Sequence, residues 1–127
     1  MLTKGVAQAN QKSDAEATDP AIFDREHLSQ YTGGDDALER ELIGLFLAQF
    51  APVRTQLDEA ASAEDWKFAA HSLKGSARSI GAPRIAALTE ELEDLGWTGA
   101  SRRKKGLLAE LDQAMAAFAA EAEKLLA

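Results

Sequence analysis

Apolar residues recur at three- and four-residue steps along most of the chain, the spacing that gathers them on one face of a helix. Leu38, Leu42, Leu45, Phe46, Phe50, Val53 and Leu57 form one such face. They predict a helix from Asp35 or Asp36 to about Ala61, with a kink where Pro52 removes an amide donor. A short helix before it, from about Asp24 to Tyr31, is capped by Asp24 and ended by Gly33-Gly34. Ser62 caps a third helix, with Asp65 in the capping-box position, and Gly81 ends it. Ala82-Pro83 opens a fourth helix, which carries Ile85, Leu88, Leu92 and Leu95 on one side and stops at Gly96. The last runs from about Ser101 to the C-terminus, burying Leu107, Leu108, Leu111, Met115, Phe118, Ala122 and Leu125. Four long amphipathic helices joined by short loops predict an all-α, antiparallel up-down four-helix bundle with a short extra N-terminal helix. Residues 1–20 are polar, small and without periodicity, so a disordered tail is expected there and a folded domain over 21–127.

Composition narrows the function classes. A chain of 127 residues is one domain's length and can bury a core without staples. It has no cysteine, which removes disulfides, thiol catalysis and Cys-ligated metals. Two histidines, His27 and His71, are too few for most His-based metal sites, and no metal or cofactor is expected. A net charge of −7 argues against general nucleic-acid binding, which rests on neutralising phosphates. No apolar run reaches the ~20 residues of a membrane span, and the N-terminus lacks the apolar stretch of a secretory signal. A cytoplasmic monomer is expected, and Met1 with its short tail favours a free-standing protein.

The third helix carries the candidate chemistry. With Trp66 set to zero and about 100° per residue, Ala69, Ala70, Leu73, Ala77 and Ile80 fall within about 60° of it and form the core face. His71 lands near 140°, outside that stripe, with Lys74, Lys67 and Arg78 at about 80°, 100° and 120°. Gly75 lies near 180°, one turn from His71, and Phe68 near 200°, pointing to solvent. No acidic residue occurs from Trp66 to Thr89, whereas Lys67, Lys74, Arg78 and Arg84 do, which predicts a local positive patch. A neutral imidazole is a nucleophile near pH 7, and a phosphoryl group on it would need donors. Lys74, at i+3, can supply them. Gly75, at i+4, leaves room for the group and for a partner, at about 1 kcal/mol of helix propensity. If the hairpin turns near Ala82, His71 lies eleven positions before it and Glu93 eleven after, so Glu93 can accept a hydrogen bond from the ring. By the same count Glu90 lies level with Lys74 as the second choice.

The run Ala70-His71-Ser72-Leu73-Lys74-Gly75-Ser76-Ala77, followed by Ile80-Gly81-Ala82, closely resembles the histidine-containing phosphotransfer (HPt) domain of bacterial two-component phosphorelays. The resemblance extends over about Ile22 to Ala127. It includes the Gly-Gly-Asp before the second helix, the proline within it and the Asp-Trp before the histidine helix. It implies a four-helix bundle with His71 exposed midway along one helix and phosphorylated at Nε2. The phosphate is exchanged with an aspartate of a receiver domain, in a hybrid histidine kinase or a response regulator. It further implies that Lys74 stabilises the phosphate, that Gly75 permits docking and that a residue such as Glu93 holds the ring. The receiver supplies the aspartate and Mg²⁺, so the chain is a carrier and shows no activity alone. Lys67, Phe68, Ser72, Arg78 and Ser79 are the expected docking surface. Ser79 departs from the pattern, since Asn is frequent there, and local packing or capping is where that should tell.

Other readings compete with this one. An exposed helical histidine, taken alone, is usually an ordinary surface residue, and Phe68 can pack against the second helix instead. His27 lacks the lysine–glycine context and reads as structural. The run Arg102-Arg103-Lys104-Lys105 has no aromatic interleaving and sits at a helix start, where cations oppose the dipole, so a solvated junction is expected. The runner-up function is a helical docking module that binds receivers or kinases without phosphotransfer. A kinase dimerisation helix pair is disfavoured by four helices in one chain and by the lack of an ATP-binding sequence.

Overall fold

The computed structural model describes residues 20–126, and the expected tail over 1–20 lies outside the described residues except for Pro20. Among the described residues the structure is all-helical. Its five helices are α1 (Arg25–Thr32), α2 (Asp36–Glu59), α3 (Ala63–Ile80), α4 (Pro83–Leu95) and α5 (Ser101–Leu126). Helix α3 packs on α2 and α4, α4 on α5, and α5 returns to α2, while α1 lies across α2 and α3.

The starts follow from the capping residues. Asp24, Asp35 and Ser62 each accept a hydrogen bond from the backbone amide three residues on, at 3.0, 3.1 and 3.1 Å. Helix α4 opens at Ala82 with no side-chain cap. The segment before α1 stands in for one, since Ala21 O accepts from Arg84 N at 3.1 Å, and it also covers the end of α3, where Asp24 N donates to Gly81 O at 2.7 Å. Gly81 is left-handed, with φ of 87°, and a Cβ there would stand 2.5 Å from Asp24 O. Glycine is therefore required both by its own backbone and by the chain crossing it.

The core faces agree with the sequence periodicity, with one correction in α2. Phe46, Val53 and Leu57 are buried with Ile43, which was not expected to be, whereas Leu38 and Leu45 are exposed. Measured around the axis from Phe46, Leu38 and Leu45 sit about 80° and 100° off the stripe's centre and Ile43 only about 60° off it. Helix α2 continues through Pro52 as one element. Phe118 anchors the interior, edge-on to Phe23 and Phe46 at 5.0 and 5.2 Å between ring centroids. The buried Trp66 donates from Nε1 to Leu92 O at 2.9 Å, fixing α3 to α4. Truncating either aromatic should cost about 3–5 kcal/mol.

The basic run at the start of α5 is exposed at Arg102, Arg103 and Lys105, as the sequence predicts for a solvated junction, but Lys104 is half-buried. Lys104 lies over the Trp66 ring, 4.7 Å from its centroid, and donates to Trp97 O, and Arg103 pairs with Glu91 at 2.7 Å. Lys104 thus tethers the α4–α5 loop.

Candidate functional site

Helix α3 buries one face and presents the opposite one as a crest. His71 stands on that crest with 68% of its side chain exposed, and Gly75 and Phe68 are exposed beside it. The two flanks of the crest differ in chemistry. Lys74 and Arg78 lie toward α4, at about 80° and 120° from Trp66, whereas Ser72, Ser76 and Ser79 lie toward α2, at about 220–280°.

On the α4 flank the hairpin register is the one the sequence count gave for His71. The Glu93 Oε2 lies 3.4 Å from His71 Nδ1, and its Oε1 lies 2.7 Å from Lys74 Nζ. The first distance is longer than a good hydrogen bond, and the second is a close ion pair in which Oε1 takes no well-directed hydrogen bond. Lys74 and Glu93 are each only 13% exposed, so their attraction is screened less than at the open surface. The Lys74 ammonium, and more weakly the neighbouring His71, hold the Glu93 carboxyl below its ordinary range against the opposing effect of burial. The count for Lys74 needs correction: Glu90 pairs with Arg78, at 3.6 Å, and Lys74 with Glu93. A residue three positions from His71 on a helix lies on the same side, so one carboxylate from α4 reaches both.

The positive patch expected from the acid-free window is therefore largely compensated in space. Lys74, Arg78 and Arg84 meet Glu93, Glu90 and Glu110 from α4 and α5, the last pair at 3.9 Å. Lys67 remains exposed on the crest's cationic side.

On the α2 flank the surface is open and apolar. Leu45 is 61% exposed and Tyr31 68%. With Leu42, Gln49, Gly75 and Ser79 they line a groove of about 460 Å³ beside the crest. A Cβ built on Gly75 would meet nothing within 4 Å, so no contact within the chain calls for glycine at this mid-helix position. Tyr31 and Leu45 were not among the candidates from sequence. The spacing of Leu45 predicts a core position, and nothing in the local sequence places α1 against α3. His27 contributes its amide to the α1 cap and lies beside Gly81, away from the crest. Among the described residues no group of three or more His, Cys, Asp or Glu is arranged to hold a metal ion, and no helix is long and apolar enough to cross a membrane.

The family model of the Hpt domain matches residues 41–126, which leaves α1 and the first turn of α2 outside the match. No curated protein and no solved structure matches the chain. Hpt domains are phosphocarriers in phosphorelays and interact with receiver domains and kinases. With a matched region of this length, which includes the helix that exposes His71 above Lys74 and Glu93, the chain belongs to the Hpt domain family.

Proposed function

We propose that His71 is the phosphoacceptor of a phosphorelay, taking the phosphoryl group from a receiver-domain phospho-aspartate and passing it to a response-regulator aspartate. The observation that carries this reading is one exposed imidazole with a lysine and a carboxylate at its foot. The Nε2 lone pair attacks phosphorus. The Nε2–P bond forms as the P–O bond to the aspartyl carboxylate breaks, and the electron pair stays on that carboxylate. Nδ1 keeps its proton throughout, so the ring becomes cationic, and Glu93 beside Nδ1 favours both that tautomer and that charge. Phosphoryl transfer needs mainly positioning and charge stabilisation. Lys74 supplies one cation from this side, while the Mg²⁺ and remaining groups come from the receiver.

The same reading assigns the chain from residue 21 onward to one antiparallel up-down bundle of four long helices with α1 added, acting as a monomer. The docking surface comprises Lys67 and Phe68 on the crest, Arg78 on its α4 flank, and Ser72 and Ser79 on its α2 flank. It also extends over the α2 flank to Leu45 and Tyr31, because those apolar side chains border Gly75 and are otherwise uncovered. Incubation with a phosphorylated cognate receiver should label the wild type and leave His71→Gln unlabelled, with unchanged helicity. Labelling that survives in His71→Gln removes the assignment, and receiver binding without any labelling of the wild type leaves a docking module only.

A further inference from the structure

A single ammonium at this site faces two anions. In the structure Lys74 is held by Glu93 at 2.7 Å, in a pocket where both side chains are mostly covered. Once His71 carries a phosphoryl group, the same ammonium, one turn along α3, is within reach of the new dianion, with Lys67 one turn the other way. Glu93 stands beside both groups, since its other oxygen is 3.4 Å from His71 Nδ1 and its backbone is set in α4. Resting on the phosphoacceptor reading of His71, we propose that Glu93 is a positioning residue that competes with the phosphoryl group for Lys74. It thereby keeps the phosphohistidine poised to release its group.

The competition follows from charge and distance. Before transfer the carboxylate neutralises Lys74, and the site needs no counterion. After transfer a dianion on Nε2 and a carboxylate at Nδ1 flank one ring, and full engagement of Lys74 with either leaves the other under-compensated. The shorter contact, to Lys74, outweighs the longer one to the ring. Removing the Glu93 charge should therefore stabilise phospho-His71, although it weakens the support of the cationic ring. A residue that only orients the ring has the opposite signature: its loss leaves the phosphohistidine unchanged or less stable, whether or not Lys74 is present.

The full chain is equilibrated with phosphoramidate at a fixed ammonium concentration. Nε2 displaces ammonia from phosphorus: the donor's P–N bond breaks with its electron pair leaving on nitrogen, and the Nε2–P bond forms. The ratio of phosphorylated to free His71, read by ³¹P NMR, reports phosphohistidine stability with no partner protein. Glu93→Gln should raise this ratio about five- to tenfold, a coupling of ordinary size for groups in contact. Lys74→Ala should lower it, and in that background Glu93→Gln should change it less than about twofold. A fall on Glu93→Gln in both backgrounds, or an equal rise in both, overturns the competition and leaves the phosphoacceptor reading standing. Label persisting in His71→Gln, or none in the wild type, removes that reading and this one with it. Should Glu93→Gln not fold, the wild-type Lys74 ¹⁵Nζ resonance decides. It should move on phosphorylation, and an unmoved resonance overturns the proposal.

Discussion

The two flanks of α3 are built on different physics although the crest between them is only one side chain wide. Toward α4, the cations are matched by acids, Lys74 with Glu93 and Arg78 with Glu90, so the charge is balanced within the chain. Toward α2, Leu45 and Tyr31 are left uncovered beside serines and a glycine. Compensated charge gives little net attraction for a distant partner, and its value lies in holding the groups around His71 at fixed positions. Uncovered apolar surface has the opposite character: it is indifferent to the phosphoryl group and gains when a partner excludes water from it. The charged groups around His71 and the uncovered apolar surface thus lie on opposite sides of one helix, and each can be perturbed without the other.

The sharpest break in that separation is a charge placed on the apolar flank. Leu45→Glu should weaken binding of a cognate receiver by about 2–3 kcal/mol, or roughly 30- to 150-fold, the loss expected at an interface hot spot. Labelling by phosphoramidate should stay within about twofold of wild type, since the α4 flank is untouched. Titration calorimetry and ³¹P NMR on one preparation check both parts. Parallel losses in the two assays would show that the flanks are coupled.

A pair of glycines sharpens the same contrast. Gly81 has a left-handed backbone and the chain of Asp24 against it. Gly81→Ala should lose about 2–3 kcal/mol in urea denaturation, from αL strain and displacement of the N-terminal segment. Gly75 is helical with open space around it, so Gly75→Ala should stabilise the fold by about 1 kcal/mol. The same substitution should slow exchange with a receiver about tenfold, because the methyl group stands where the partner approaches. A variant that is more stable and equally fast would remove the docking role of Gly75.

Much of this arrangement was legible in the sequence because it is local. Caps at Asp24 and Ser62, the stop at Gly81 and the start at Pro83 are each set by one or two residues, and all appear where expected. The position of Glu93 was legible because a tight hairpin turns sequence distance into register. What did not show was what crosses between elements. The acid-free window from Trp66 to Thr89 is acid-free only along the chain, since the counter-charges of Lys74, Arg78 and Arg84 arrive from α4 and α5. Leu45 reads as core by spacing, yet α2 meets its neighbours along a narrower stripe centred on Phe46. Tyr31 reaches the groove beside Gly75 only because α1 lies across α2 and α3, a placement set by backbone bonds such as Asp24 N to Gly81 O that no local pattern announces.

The smallest effect tests whether the balanced flank is balanced by Glu93. In the folded protein its carboxyl is held below the ordinary 4.5, first by Lys74. A lowered carboxyl adds stability above the unfolded value, and that addition is lost as pH falls through the folded one. Glu93→Gln should therefore be less stable than wild type near pH 7, by under about 1 kcal/mol for a partly screened pair. The two should converge below the folded value of the Glu93 carboxyl, where the wild-type side chain is itself neutral. The difference between their urea midpoints, followed from pH 7 downward, should close in that acidic window. A difference that persists unchanged into acid would assign Glu93's contribution to shape or hydrogen bonding, and the balance of charge on that flank would then rest on other groups.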